Sequence, residues 1–411
     1  MGDGTFLLGG ATILDATGAD PYDGAQVLVN DGWIASVGPV AGAGAPAGAT
    51  VLDLDGLTLL PGLIDAHAHH GIVEVHDADR TPLAVLAARI VANLGRTVQE
   101  GFTTSREMGG LDGGFAQAVA DGLVSGPRLF PSGPLLCTTA GHGDLGPSYL
   151  PHAAHSHDRV PGLVQNGRPV DGPDAVRRAA REAFRHGATQ LKLCISGGVV
   201  SLTDRMEDVQ FSVDEMRAAV EEAEARHTYV AAHAHNTESI RRGLEAGIRS
   251  FEHGTFLDDA TAELMAAKGA VLVPTLTVAA RWLEDATAVP PSARDRVAAL
   301  STGMQQAVRL AVQYGITMGS GADLIGPVQQ GRGDEIVHKA ALIGAMDAII
   351  SATRTNAAIL GWGHRLGTVE VGKMADLIAV DGDPVADPSV LADPRRIVLV
   401  MQDGRIVKDI R

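Results

Sequence analysis

From about residue 58 to residue 365 the sequence alternates short apolar runs with amphipathic helical stretches, a rhythm that restricts the chain to a parallel α/β architecture. Eight strand candidates can be counted, at 59–67, 103–108, 128–133, 188–195, 229–234, 249–253, 270–275 and 316–323. Helical patterns lie between most of them and are clearest at 174–186 and 214–227. In the second, Met216, Ala219, Val220 and Ala223 share one face while acids and Arg217 take the other. Eight units favour a closed (β/α)8 TIM barrel over an open doubly wound sheet. No Gly-x-Gly-x-x-Gly follows the first strand, which weighs against dinucleotide binding.

The two ends read differently. Residues 5–14, 25–37 and 50–57 are β-rich, with Asn30-Asp31-Gly32 as a hairpin signal. Near the other end 375–380 and 396–400 are strand-like, and Gln402-Asp403-Gly404-Arg405 is a turn. One sheet domain assembled from both ends leaves fewer unpaired edges than two separate caps. The expected organisation is therefore a β-sandwich domain of residues 1–57 with 366–411, and a barrel of residues 58–365.

A formal net charge of −16 over 411 residues speaks against a nucleic-acid partner, because phosphate binding needs a basic stripe. The two cysteines, Cys137 and Cys194, are too few for a disulfide framework or a structural zinc cluster, and read as small buried apolar residues. No run reaches the ~20 apolar residues of a membrane span, so no membrane partner is expected. The first residues do not read as a secretory signal, so the expected location is cytoplasmic.

The chemistry starts at Leu60-Pro61-Gly62-Leu63-Ile64-Asp65-Ala66-His67-Ala68-His69. On a strand, residues two apart share a face, so His67 and His69 can converge on one metal ion. Alone, a His-x-His pair is a weak signal. Further polar groups end other strands: His233 and His235 the fifth, His253 the sixth, Asp323 the eighth. A barrel collects all these ends around one mouth, where imidazoles and carboxylates suit a divalent ion such as zinc.

Lys192 is a misfit within Gln190-Leu191-Lys192-Leu193-Cys194-Ile195. An inward ammonium would be costly to desolvate and would repel a metal. It could point outward, pair with Asp323, or be carboxylated by carbon dioxide into an anion that bridges two metals. The residues by themselves leave all three open.

Together these stretches resemble the amidohydrolase superfamily, from the His-x-His motif to the C-terminal sheet. Within it the chain resembles the zinc-dependent Xaa-Pro dipeptidase (prolidase) and carboxypeptidase group that includes ochratoxinase. The supporting segments are Gly101-Phe102-Thr103-Thr104, Gly141-His142-Gly143-Asp144, Lys192 with Ser196-Gly197-Gly198-Val199, and Ala232-His233-Ala234-His235. Glu252-His253-Gly254-Thr255-Phe256-Leu257-Asp258-Asp259, Gly321-Ala322-Asp323 and the segment 366–377 complete them. One departure is Ala322, where Thr or Ser is common in the family.

The resemblance implies two divalent metal ions, Zn2+ being the expected species. By family roles His67, His69 and Asp323 hold one ion, His233 and His253 the other, and N6-carboxylysine at Lys192 bridges both. It further implies that a hydroxide shared by the metals attacks the scissile carbonyl of a small-molecule amide or dipeptide. Asp323 would carry the proton to the departing amine. The expected substrates are dipeptides, N-acyl amino acids and related conjugates, ochratoxin-like amides included. The alternative is a mononuclear cyclic-amide hydrolase or deaminase of the imidazolonepropionase type, against which Lys192 speaks. A homo-oligomer is expected from the resemblance alone.

Other side chains admit two readings. His142, in its Gly-His-Gly loop, could bind the substrate carbonyl or carboxylate, or be a structural loop histidine. Tyr229, on the same strand face as His233, could bind the substrate carboxylate or be a core tyrosine. His70 could line the pocket or belong to the loop, and His235 reads as pocket lining. His152, His155 and His157 read as loop residues rather than a third metal site. Arg205 and Arg332 lie in loops that could meet a carboxylate. The stretch 137–171 reads as one extended loop on the active face.

Overall fold

A computed structural model describes residues 4–39, 45–75, 81–145, 167–201, 203–285 and 294–411. His152, His155 and His157 lie outside the described residues. The strands run in chain order as β1 Thr5–Gly9, β2 Thr12–Ile13, β3 Ala25–Asn30, β4 Trp33–Pro39, β5 Thr50–Asp53, β6 Thr58–Pro61, β7 Leu63–Ala68, β8 Phe102–Glu107 and β9 Arg128–Pro131. They continue as β10 Leu135–Cys137, β11 Gly167–Pro169, β12 Leu191–Cys194, β13 Val230–Asn236, β14 Ser250–Phe256, β15 Val271–Val273, β16 Thr317–Met318, β17 Leu377–Val380, β18 Ile397–Gln402 and β19 Arg405–Asp409. The fold is a (β/α)8 barrel with a β-sandwich. Chain contacts divide it into two compact units: Met1–Asp65 with Gly95–Ser105 and Gln330–Arg411, and Ala66–Leu94 with Arg106–Gln329.

In the first unit, sheets of order β4-β3-β1-β5 and β19-β18-β17-β6-β2 form the sandwich. Leu8, Val27, Val29, Ile34 and Leu52 of one sheet bury against Leu59, Leu377, Ala379 and Leu399 of the other, as strand alternation requires. Both tight hairpins use two successive left-handed residues, which matches the right-handed twist of the strands they join. Asp31 and Gly32 (φ 49° and 85°) close Asn30 onto Trp33, and Asp403 and Gly404 (φ 51° and 72°) close Gln402 onto Arg405.

The expected strand 59–67 is in fact two strands broken at Gly62. Before it, β6 pairs with β17; the Gly62 N–H donates to the Asp376 carbonyl, and the next N–H, of Leu63, donates to the Gly101 carbonyl. A side chain on Gly62 would collide with Thr103, so glycine is what lets the chain change partners there.

In the second unit, seven parallel strands form a sheet of order β11-β10-β12-β13-β14-β15-β16. Backbone hydrogen bonds carry the ring round. Met108 N–H donates to Ala68 O, Ser132 to Glu107 O, Thr189 to Pro131 O, Gly319 to Leu272 O and Ala66 to Ser320 O. Gly321 lies so close to β7 that a Cβ there would overlap the backbone and Cβ of His67. The stretch 137–171, expected to be all loop, contributes β11 and the end of β10; three-residue strands are too short to show a period in sequence.

The helices expected at 174–186 and 214–227 form at Pro173–Arg185 and Val213–Glu224. The second opens on a capping box, Ser212 accepting from the Glu215 N–H while the Glu215 carboxylate accepts from the Ser212 N–H. Their apolar faces, with Val176, Ala180, Met216 and Ala219, bury against Leu191, Leu193 and Val230 of the strands. Among the described residues, no helix is long and apolar enough to cross a membrane.

Candidate active site

One cavity is lined by His67, His69, His142, Lys192, His233, His235, His253 and Asp323. Parallel register explains the convergence. Lys192 is level with Ala231, two residues before His233 on the next strand, and His253 is level with Ala234, one residue beyond it, so the polar groups step toward the C-terminal mouth from strand to strand. His253 and Asp323 both take left-handed backbone conformations, φ 73° and 54°, as does Thr275 at 56°. Strain of this kind costs about 1–3 kcal/mol per residue and persists where the surroundings hold it.

The hydrogen bonds fix the ring tautomers. His67 Nδ1 donates to Glu252 Oε2 at 2.7 Å and His69 Nδ1 donates to the Gly109 carbonyl at 3.0 Å. Burial, then the Lys192 charge, lowers the His67 pKa to about 4, so its ring is neutral at pH 7. With its proton spent on Glu252, its Nε2 faces the cavity as a bare lone pair. The two Nε2 atoms lie only 3.2 Å apart, with Asp323 Oδ1 at 3.4 and 3.3 Å from them. Two lone-pair nitrogens and a carboxylate oxygen gathered this closely repel one another unless a cation sits among them.

A second set adjoins it. His233 Nε2 donates to the Gly197 carbonyl at 3.2 Å, and His253 Nδ1 is 2.8 Å from Thr275 Oγ1. Burial first, then neighbouring imidazoles, holds His233 and His253 well below the usual histidine range. The ligand-type atoms of His233, His235 and His253 lie within 4.8 Å of one another, and so do those of His67, His253 and Asp323. Burial raises the Asp323 pKa, but the neighbouring His67, followed by His69 and Lys192, outweighs it and holds the carboxyl below its ordinary value.

Lys192 points inward, buried, with Nζ 3.4 Å from His67 Nε2. Among the described residues it forms no ion pair with Asp323 within 4.0 Å. Burial lowers its pKa, with Glu252 and Asp323 opposing.

His142 reaches the cavity and stacks on His233, ring centroids 4.1 Å apart. His235 also lines it, its Nδ1 2.7 Å from Thr255 Oγ1. Tyr229 is not brought to the cavity. It precedes β13, and its hydroxyl accepts from Arg106 Nη1 at 3.3 Å. Strand alternation gave the right face, but four residues are about 13 Å along a strand. His70 is buried with its N–H donated to Glu107 at 2.8 Å. Arg205 is exposed, and Arg332 is buried with Nε 3.2 Å from Asp65.

Arg106 and Glu252, which the sequence reading gave no role, form the layer behind His67. Arg106 Nη2 donates to both Glu252 oxygens at 2.9 Å, and Nη1 donates to Ser250 at 3.0 Å. Burial raises the Glu252 pKa, but Arg106 and the His67 bond overcome it and hold the carboxyl at about 2. The signal that could have found them is charge inside a strand of the barrel, Arg106 beside Glu107 in β8 and Glu252 in β14.

A parallel barrel gathering imidazoles and a carboxylate at one mouth defines a class of proteins equipped to hold metal ions there. The sequence pattern of the amidohydrolase family matches residues 58–407, and this chain belongs to that family. Ochratoxinase of Aspergillus niger is 31% identical over 367 residues, 85% of this chain and 75% of that protein. Its crystal structure superposes with a TM-score of 0.87 at 28% identity, covering 99% of this chain and 96% of the other. A prolidase crystallised with N-methylphosphonate-L-proline is 36% identical, with a TM-score of 0.94 over 99% of this chain and 100% of its own. A Xaa-Pro dipeptidase with methionine bound in its active site gives 28% and 0.85, over 98% and 100%.

Proposed function

We propose that this amidohydrolase cleaves the amide bond of dipeptides, N-acyl amino acids or related amino-acid conjugates, ochratoxin-like amides among them, at a site for two divalent ions, Zn2+ in our reading. The observation that carries the proposal is the convergence of His67 Nε2, His69 Nε2 and Asp323 Oδ1, with Lys192 Nζ 3.4 Å from the first. The donor set fits the metals, since His67, His233 and His253 are held neutral and the Asp323 carboxylate ionised. His67, His69 and Asp323 would hold one ion, and His233 and His253 the other. Lys192 would reach both as N6-carboxylysine. That modification joins the deprotonated Nζ to the carbon of carbon dioxide and, counted from the ammonium, releases two protons, which turns a repelling cation into an anionic ligand.

When bound, the two ions supply Lewis acidity and make water acidic enough to attack near neutral pH. The remaining work falls to the chain. Glu252 and Gly109 keep the two His-x-His rings in one tautomer. Asp323, held ionised, takes the proton of the attacking water and passes it to the departing amine, which would otherwise leave poorly. Trp282, Val278, Leu300 and Met304 give the cavity an apolar wall for the substrate's side groups.

The test is a screen of Xaa-Yaa dipeptides and N-acyl amino acids with zinc-loaded protein, following release of the free amino acid. Release is the expected result. Absence of amide cleavage, together with turnover of cyclic amides or deamination, would contradict it.

A further inference from the structure

Arg296, Leu300 and Met304 stand in one row along the helix Arg294–Tyr314, each four residues after the last and therefore on one face. Leu300 and Met304 line the cavity. Arg296, at the start of the row, is half-buried, and its Nη1 donates to the Gly198 carbonyl at 3.1 Å and to the Asp204 carbonyl at 3.3 Å. Val199 and Val200, which follow Gly198, line the same cavity. One guanidinium nitrogen thus ties the helix behind one apolar side of the cavity to the backbone that carries another.

Both tied parts are anchored elsewhere. The Gly198 N–H donates to Asp204 Oδ1 at 3.1 Å, which keeps the two carbonyls within reach of one nitrogen. The Gly197 N–H donates to the Asp208 carbonyl and the Gln210 N–H to the Ile195 carbonyl, which fastens this stretch to the end of β12. The helix is fastened further along, at Gly303, where a Cβ would lie 2.4 Å from the Thr255 carbonyl oxygen of β14. Gly303 is roughly two turns from Arg296, so the first turn has its own tether in these charge-assisted bonds. Both bonds end on main-chain carbonyls, so what they fix is the position of a backbone.

We propose that Arg296 is a positioning residue that sets the spacing between Val199–Val200 and the Leu300–Met304 row, and thereby selects amides whose acyl group is bulky and apolar, an aromatic ring above all. This rests on the reading of the cavity as the amide-binding site. Arg296 acts through the two apolar sides and need not touch substrate.

Calorimetric titration of the zinc-loaded full-length protein with the benzenesulfonyl and methanesulfonyl derivatives of leucine reads the spacing without turnover, because a sulfonamide offers no scissile carbonyl. Arg296→Met keeps the apolar stem and removes the donors. It is expected to weaken the benzenesulfonyl compound about tenfold and the methanesulfonyl compound less than about twofold. Both compounds carry the same carboxylate, so loss of the positive charge alone weakens them equally; equal weakening, or none, would overturn the proposal. Arg296→Lys, which keeps a cationic donor, should lie nearer wild type than Arg296→Met, and a lysine variant as weak as the methionine one would overturn it. Thermal unfolding checks that Arg296→Met is folded; should it not be, Arg296→Gln takes its place with the same expected contrast. In kinetics on N-benzoyl- and N-acetyl-leucine, the loss should fall on KM for the benzoyl substrate with kcat within about twofold. A fall in kcat on both substrates would mean a merely structural role and would overturn it. Absence of amide cleavage with the calorimetric contrast intact would refute the proposed function and leave the role of Arg296 standing.

Discussion

Glu252 accepts the Nδ1 proton of His67 at 2.7 Å while both its oxygens take the guanidinium of Arg106 at 2.9 Å. One buried carboxylate thus sets the tautomer of a candidate ligand and neutralises a buried cation. Glu252→Gln keeps the shape and removes the charge. Metal affinity should fall about 10- to 100-fold, as for other outer partners of ligating histidines. The fold should lose roughly 3 kcal/mol, because Arg106 is left buried without its counter-ion. Zinc titration and thermal unfolding of the variant check both. Unchanged values would remove Glu252 from the account.

Far from the cavity, Glu222 accepts from Arg181 at 2.7 Å, Arg226 at 3.0 Å and Arg177 at 3.4 Å. The Arg181 bond, followed by the other two arginines against a smaller burial cost, lowers its pKa from 4.5 to about 2. A carboxylate depressed on folding stabilises above its ordinary pKa and loses that contribution as pH falls through the folded value. The Arg181 side chain is 59% exposed, so water screens the network and its contribution is small. Glu222→Gln should therefore melt below wild type at pH 7, with the gap closing between about pH 4.5 and pH 2. Melting curves across that window decide, and a gap independent of pH would contradict the assignment.

The apolar wall predicts how substrates are ranked. Trp282 faces the cavity beside Val278, Leu300 and Met304. Trp282→Ala should lower kcat/KM about tenfold for amides carrying a bulky apolar group, and much less for an acetyl analogue. Steady-state kinetics on the matched pair are the check; equal losses would place the bulky group elsewhere.

The barrel and the sandwich were legible because their signals are periodic: eight apolar runs between helical patterns, and alternating strands around two left-handed turns. His67, His69, His233, His253 and Asp323 were legible as polar residues that close apolar strands, and the structure brings them to one cavity. Depth along a strand was not legible, which is why Tyr229 was read onto the wrong level although its face was right. Nor was the layer behind the ligands. Arg106 and Glu252 meet across 146 positions of sequence, and a charge in a strand looks the same whether water or another charge satisfies it. The Gly62 break escaped because its cause, the nearby Thr103, is a tertiary contact.

In our reading Lys192 makes this a two-metal site. The direct measurement is the number of zinc ions bound per chain, followed alongside amide hydrolysis as apoprotein is titrated in bicarbonate buffer. The account predicts that activity rises until two ions are bound, and that Lys192→Met binds no more than one and is inactive. Full activity with a single ion per chain, or a Lys192→Met protein that still binds two, would contradict it.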